Sequence, residues 1–214
     1  MNFESFYDYF QMDVDYDSLL KPLLPYLKKD QVILDAGCGS GYITTYLAKN
    51  GYQMIGIDKN QEMLVLAKEK LSDENLQADL FVHDLNYSLK QKFDQIICLL
   101  DVFHYFKGVK RLIKNLYNGL NDDGRLILDL YKGPVNEQES DTFTDLSYDW
   151  KVSTKNEVIT HEVIVHYYDE IHKYKVKQYY HPVSYYTNLL TDVGFKVDFV
   201  DGFDDRKAYL VCTK

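Results

Sequence analysis

A chain of 214 residues with 46% hydrophobic content can bury one substantial core, and its length suits one domain with an elaboration. The net charge of −9 argues against a general nucleic-acid or membrane-surface binder, since basic residues hold both, and leaves only a local basic groove open. Three solitary cysteines, Cys38, Cys98 and Cys212, show no CxxC or Cys-His spacing and argue against a disulfide or a metal site.

Met1 to Phe10 carries acids and no apolar h-region, and no later run reaches the ~18 apolar residues of a membrane span, so a cytoplasmic protein is expected. Phe3, Phe6, Tyr7 and Phe10 fall at helical spacing. A second amphipathic stretch runs from about Tyr16 to Leu27, interrupted by Pro22 and Pro25, so two short helices precede the first strand. Val32 to Leu34 is a short β-branched run that ends in Asp35 and then in Gly37, Gly39 and Gly41. The pattern predicts a buried strand breaking into a tight turn, with a helix opening at Ile43. Such a turn can hold a dinucleotide or another adenosine ligand, or be a structural glycine turn with no ligand. The spacing is G-x-G-x-G with an acid two residues ahead, not the G-x-G-x-x-G that seats a pyrophosphate on a helix N-terminus. Asp35 would repel a pyrophosphate and suits a ligand carrying an ammonium and a sulfonium.

Gly51 to Asp58 reads as the second strand, and Asp58 lies seventeen residues beyond Gly41, close to the ~20-residue offset at which a carboxylate meets a ribose hydroxyl pair. The alternative is a solvated loop acid. A short third strand, about Leu80 to His83, leads into Asp84-Leu85, with His83 read as structural. Phe93 to Leu100 is the fourth strand, apolar throughout as a strand covered on both faces should be. The loop Asp101 to Phe106 follows at its carboxyl end, where open α/β sheets bind ligands. His104 in that loop has a pKa suited to accepting a proton near neutral pH. The competing reading is a histidine that packs and hydrogen-bonds at the strand end. A helix from about Val109 to Leu120 stops at Asn121 to Gly124, and Arg125 to Tyr131 is the fifth strand.

From Lys132 the alternation with helices ceases. A polar stretch, Gly133 to Ser147, precedes three β-rich runs near Trp150–Thr154, Glu157–Tyr168 and Ile171–His181, which predicts an inserted antiparallel sheet. Its tyrosines can hold an organic cation or orient a polar acceptor, although tyrosine is also simply a good strand former. Lys173, Lys175 and Lys177 read as a solvated strand face or as a basic groove. A helix from about Ser184 to Asp192 ends at Gly194, and strands at Phe195–Val200 and Ala208–Thr213 follow too closely for a crossover. They must form a hairpin, which makes the last strand antiparallel.

These motifs resemble those of the class I S-adenosylmethionine-dependent methyltransferases of small-molecule type, over about Phe3 to Lys214. Val32 to Tyr42 resembles the first motif, Asp58-Lys59-Asn60-Gln61-Glu62-Met63-Leu64 the family's D-x-S-x-x-M-L with Asn60 for serine, and Asp84-Leu85 the adenine-reading pair. Asp101 to Phe106 resembles the fourth motif in the form where a histidine stands at His104, and Tyr7-Asp8 with Asp13 to Tyr16 resembles Y-D and D-x-x-Y signatures of a helical lid. The tryptophan that often follows in that lid is Leu19 here.

The resemblance implies a Rossmann-like, doubly wound seven-stranded α/β sheet with an antiparallel last strand. It implies a core at 1–131 and 182–214 with a lid at 1–29, and a β cap at 132–181. It implies S-adenosyl-L-methionine held by Tyr7, Tyr16, Asp35, Gly37, Cys38, Gly39, Gly41, Asp58, Lys59, Met63, Asp84, Leu85, Leu99 and Leu100. Tyr7, His104, Tyr131, Trp150, Tyr168, Tyr174 and Tyr180 would meet a small-molecule acceptor methylated on N or O, with His104 as general base and no metal. An RNA-modifying methyltransferase and a non-catalytic cofactor-binding protein are the rivals. A monomer or homodimer is expected.

Overall fold

Strands that are apolar at successive positions need cover on both faces, and the sheet obtains it by dealing alternate residues to opposite sides. The computed structural model describes residues 2–143 and 146–214. Met1, the first residue of the expected lid, lies outside them, as do Thr144 and Asp145 of the inserted segment. The core strands are β1 (Val32–Ala36), β2 (Gln53–Asp58), β3 (Asp79–Val82), β4 (Phe93–Cys98), β5 (Leu120–Tyr131), β10 (Lys196–Val200) and β11 (Lys207–Thr213). They form one seven-stranded sheet in the order β10-β11-β5-β4-β1-β2-β3. β11 runs antiparallel to both of its neighbours, while β1, β2, β3, β4 and β5 pair in parallel.

Leu34, Ile96, Leu126 and Leu210 pack on one face, beneath α5 (Lys110–Asn118) and α6 (Val183–Val193), which contribute Leu112, Leu116, Tyr186 and Leu190. Their neighbours Ile33, Ile97, Ile127 and Val211 turn to the other face, under α2 (Tyr16–Leu20) and α3 (Tyr42–Lys49). α4 (Gln61–Asp73) connects β2 to β3, its N-terminus capped by Asn60, which accepts from Glu62 N–H at 2.9 Å. Cys38, Cys98 and Cys212 are free thiols. Among the described residues no helix is long and apolar enough to cross a membrane, and no cluster of His, Cys, Asp or Glu is placed to hold a metal ion.

The second sheet is antiparallel and has four strands, β6 (Glu137–Thr142), β7 (Leu146–Lys155), β8 (Val158–Tyr167) and β9 (Glu170–Tyr179), in that order. Three strands were expected. β6 escapes sequence reading because it is an edge strand exposed along its whole length, with no apolar alternation to betray it. The first helix, α1 (Phe3–Gln11), lies on this sheet. Phe6 stacks on Tyr174 with ring centroids 5.7 Å apart, and Phe10 meets Tyr148 and Trp150 edge-on at 4.3 and 4.8 Å.

Two other boundaries differ from expectation. Asn121 to Gly124, read as a helix stop and turn, lies within β5, where a register shift opposite Phe93–Gln95 absorbs the extra residues as a bulge. β4 ends at Cys98 because Leu100 and Asp101 both take left-handed backbone, with φ of 59° and 70°.

Candidate functional site

At the carboxyl ends of β1, β2 and β4 lies a cavity of about 320 Å³. The turn after β1 sets its floor. Gly37, Gly39 and Gly41 all have positive φ. A Cβ on Gly41 would sit 2.6 Å from the Ala67 Cβ, so this position lets α3 start against α4, whereas a Cβ on Gly39 would meet nothing within 4 Å. The main chain at Gly39 is therefore bare and faces open space, as a ligand cradle requires.

Two carboxylates flank the turn. Asp58 closes β2, its Oδ2 accepting from Gly39 N–H at 3.0 Å and its Oδ1 from Asn60 N–H at 2.8 Å. Each oxygen keeps a lone pair for a hydroxyl. Asp35 is 3% exposed and accepts from the Thr44 hydroxyl at 2.6 Å. Burial raises its pKa to about 7 against the pull of that hydrogen bond, with the Asp58 charge adding to the rise. A carboxylate in that state gains from a cation brought beside it. Asp84 follows β3, its Oδ1 accepting from the Asn86 N–H at 2.9 Å.

α1 and the chain after it form the roof, where Phe3, Tyr7, Gln11 and Tyr16 line the cavity. Tyr16 stacks on Tyr42 at 5.3 Å and donates to Gln11 Oε1 at 2.7 Å. The roof is latched to the core. Asp8 pairs with Lys70, Tyr42 donates its hydroxyl to the Asp8 carbonyl at 3.1 Å, and Asn60 donates to Glu4 Oε1 at 2.8 Å.

Every residue expected around the cofactor lines this one cavity: Tyr7, Tyr16, Asp35, Gly37, Cys38, Gly39, Gly41, Asp58, Lys59, Met63, Asp84, Leu85, Leu99 and Leu100. His83, read as structural, lines it too. The expected acceptor contacts fare differently. Of that set only Tyr7 reaches the cavity.

His104 is fully buried, with Nε2 accepting from Tyr131 N–H at 3.0 Å and Nδ1 2.8 Å from the Tyr179 carbonyl. Since Nε2 accepts, Nδ1 carries the proton and donates. Burial lowers its pKa. With both nitrogens committed to backbone, His104 ties the end of β5 and the end of β9 to the 3-10 turn Val102–Tyr105 and does not line the cavity. Tyr131 is turned inward, donating to Asp101 Oδ2 at 2.7 Å. Trp150 and Tyr174 are spent on the aromatic packing under α1. Tyr180 packs near Ile159 and Val135. Tyr168 stands in the β8–β9 turn, 73% exposed, away from the cavity.

Sequence reading missed Tyr105 and Phe106, which line the cavity beside His104. It also missed Lys207. This buried lysine lies 2.9 Å from Asp101 Oδ1 and 2.7 Å from Asp129 Oδ2. Burial works against its charge, but the two carboxylates hold its pKa well above the usual lysine value. Asp129 Oδ1 also accepts from Asp101 N–H at 3.3 Å. The group pins the left-handed Leu100–Asp101 turn, a conformation that costs about 1–3 kcal/mol per residue without such support.

A family model for a methyltransferase domain matches residues 34–126, the span that holds the glycine turn and both flanking carboxylates. The family model, the relatives and the solved structures all indicate an S-adenosylmethionine-dependent methyltransferase. The methyltransferase is 27% identical over 230 residues to YqeM of Bacillus subtilis, a protein named as a methyltransferase, covering 93% of this chain and 89% of that one. Its fold is that of an S-adenosylmethionine-dependent methyltransferase from Clostridium acetobutylicum, with a TM-score of 0.82 at 19% identity over 98% of this chain and 97% of the other. The sugar N-methyltransferase KedS8 from Streptoalloteichus superposes with a TM-score of 0.80 at 15% identity, covering 100% and 93%. The bare backbone at Gly39, the diol-ready Asp58 and the cation-seeking Asp35 fit S-adenosylmethionine.

Proposed function

We propose that this methyltransferase acts on an N or O of a small polar molecule, which enters the cavity between Tyr7 of α1 and the Tyr105–Phe106 edge of the 3-10 turn. One observation carries the reading: the cavity is roofed by α1, which is latched to α4 on one side and packed on the second sheet on the other. A space covered in this way suits a metabolite better than a polymer. The likeness in fold to a sugar N-methyltransferase supports the same class of acceptor. In this reading residues 132–181 are a substrate cap on a core of 1–131 and 182–214. Lys173, Lys175 and Lys177 support no nucleic-acid groove, since they lie on the solvent face of the edge strand β9 and Lys175 is paired to Glu162 at 2.8 Å.

When bound, S-adenosylmethionine supplies a methyl group already activated on a sulfonium. Asp58 would accept from the ribose hydroxyls, Asp84 and Leu85 would read adenine between Met63 and Lys59, and Asp35 with the carbonyls of Leu99 and Leu100 would receive the ammonium. The remaining work of the chain is alignment and the exclusion of water by Phe3 and Tyr7, effects that together supply roughly 7–11 kcal/mol. No residue need act as base where the acceptor is an amine already neutral at the reacting nitrogen.

The test is S-adenosylhomocysteine release across a panel of small amines and alcohols, with bulk RNA as the contrasting substrate. Release with a small acceptor and none with RNA is expected. Turnover of RNA alone would overturn the reading.

A further inference from the structure

The charged residues that line the cavity stand at the ends of β1, β2 and β3: Asp35, Asp58 with Lys59, and Asp84. The side between α1 and the 3-10 turn is lined instead by Phe3, Tyr7, Val102, Tyr105 and Phe106. Among the described residues no lysine or arginine lines that side. Lys107, next to Phe106, is exposed and outside the lining. Lys70 and Lys207, which tie down the roof and the Leu100–Asp101 turn, are already paired, Lys70 with Asp8 and Lys207 with Asp101 and Asp129 at 2.9 and 2.7 Å. Neither has charge to spare. A phosphate or carboxylate brought in here would lose its water, find no counter-ion, and face the three acids across the cavity.

The same side offers nothing placed to take a proton. His104 has both nitrogens bonded to backbone and lies outside the lining. His83 stands beside Asp84 at the far end, its Nε2 3.3 Å from the Tyr87 carbonyl. Tyr7 and Tyr105 are phenols, protonated near neutral pH, and burial holds Tyr7 further from ionising. A hydroxyl is a weak nucleophile until a base removes its proton, whereas a neutral amine attacks with its own lone pair.

We infer that the acceptor atom is the nitrogen of an amine, on a molecule that carries no phosphate or carboxylate. The inference rests on the small-molecule reading above and adds the reacting atom and the charge of its bearer. The amine lone pair forms the N–C bond as the S–C bond breaks and its electron pair returns to sulfur. Positive charge thereby passes from sulfonium to the new ammonium, which gives its proton to water on leaving. The cavity holds the same number of positive charges before and after, so its carboxylates stay compensated. The rings at positions 3, 7, 105 and 106, with Phe3 and Tyr7 centroids 5.9 Å apart, suit a cation formed among them.

Two measurements on the full chain test it. S-adenosylhomocysteine release should be compared for benzylamine against benzyl alcohol, tyramine against tyrosine, and glucosamine against glucosamine 6-phosphate. In each pair that turns over, the first member should have a kcat/KM at least ~10-fold higher. An alcohol or an anion-bearing member that matches its partner overturns this proposal alone. No turnover of any pair with the donor still bound overturns the small-molecule reading and this proposal with it. Calorimetry then reads the charge without turnover. With S-adenosylhomocysteine bound, benzyltrimethylammonium, which resembles a methylated amine, should bind at least ~5-fold tighter than its neutral isostere neopentylbenzene. Exchanging S-adenosylhomocysteine for S-adenosylmethionine, whose sulfonium already supplies the charge, should remove most of that preference, and Tyr105→Leu should weaken it. Equal affinities, or a preference that neither change reduces, overturn the proposal.

Discussion

The backbone N–H of Tyr131 donates to Nε2 of His104 at 3.0 Å, and the same imidazole reaches the Tyr179 carbonyl at 2.8 Å. One neutral ring thus joins the strand that leaves the core to the strand that returns to it. His104→Ala leaves a buried N–H and a buried C=O unsatisfied, a loss of about 2–4 kcal/mol. Calorimetric melting should show a Tm lower by about 4–12 °C. His104→Asn, with one donor and one acceptor, should recover much of it. The pH dependence of turnover should not change in either variant; loss of an ionisation near neutrality would restore His104 as a base.

Cofactor affinity should depend on pH through Asp35. Its pKa in the free protein is raised to about 7 by burial, and a cationic ligand is met by the ionised form. Binding therefore releases a proton below pH 7, and affinity should fall about tenfold per pH unit there and level off above. The stability of the free protein runs the other way. A raised folded-state pKa favours folding fully below the unfolded value near 4, and that contribution is lost as pH rises through 7. Calorimetry of donor binding between pH 5.5 and 8.5 in buffers of different ionisation enthalpy reads the proton directly. Asp35→Asn should flatten the profile.

The glycine turn offers a contrast between fold and ligand. Gly41→Ala drives a methyl to 2.6 Å from Ala67 and should cost stability, by roughly 1–3 kcal/mol. Gly39→Ala adds its methyl to open space, so its stability cost is confined to the positive φ, about 1 kcal/mol. Donor affinity should nonetheless fall at least ~10-fold in Gly39→Ala. Gly37→Arg and Asp58→Ala should abolish donor binding altogether. Unchanged affinity in all of these by calorimetry would refute the placement of the donor.

Lys207 lies between Asp101 and Asp129 and pairs with both. Lys207→Met strands two buried carboxylates and should destabilise by about 3–5 kcal/mol in denaturant titration. Adding Asp129→Asn should return part of the loss, because only one charge then lacks a partner. Additive losses in the double variant would mean that the group is not coupled.

Opening of the roof should limit ligand escape. Asp8→Asn weakens the pair with Lys70, whose side chains are largely shielded from solvent. Stopped-flow displacement should show S-adenosylhomocysteine leaving several-fold faster, with little change in Tm.

The cavity floor was legible because its signals are local. A positive-φ turn demands glycine at Gly37, Gly39 and Gly41, and strand ends put Asp35, Asp58 and Asp84 on one edge of the sheet. The acceptor side was not, because its geometry is tertiary. In Asp101 to Phe106 the histidine drew attention, yet the 3-10 turn buries His104 and presents its neighbour Tyr105. Lys207 gave no local sign, since its partners come from the turn after β4 and from β5 and meet it only once the antiparallel β11 is in place.

One imidazole holds the end of β5 and the end of β9 at a single point, while Phe6 and Phe10 rest on the sheet strung between them. A changed side chain at Tyr148, Trp150 or Tyr174 would therefore be felt first in the tilt of α1, and through α1 in the height of the ceiling above the glycine turn.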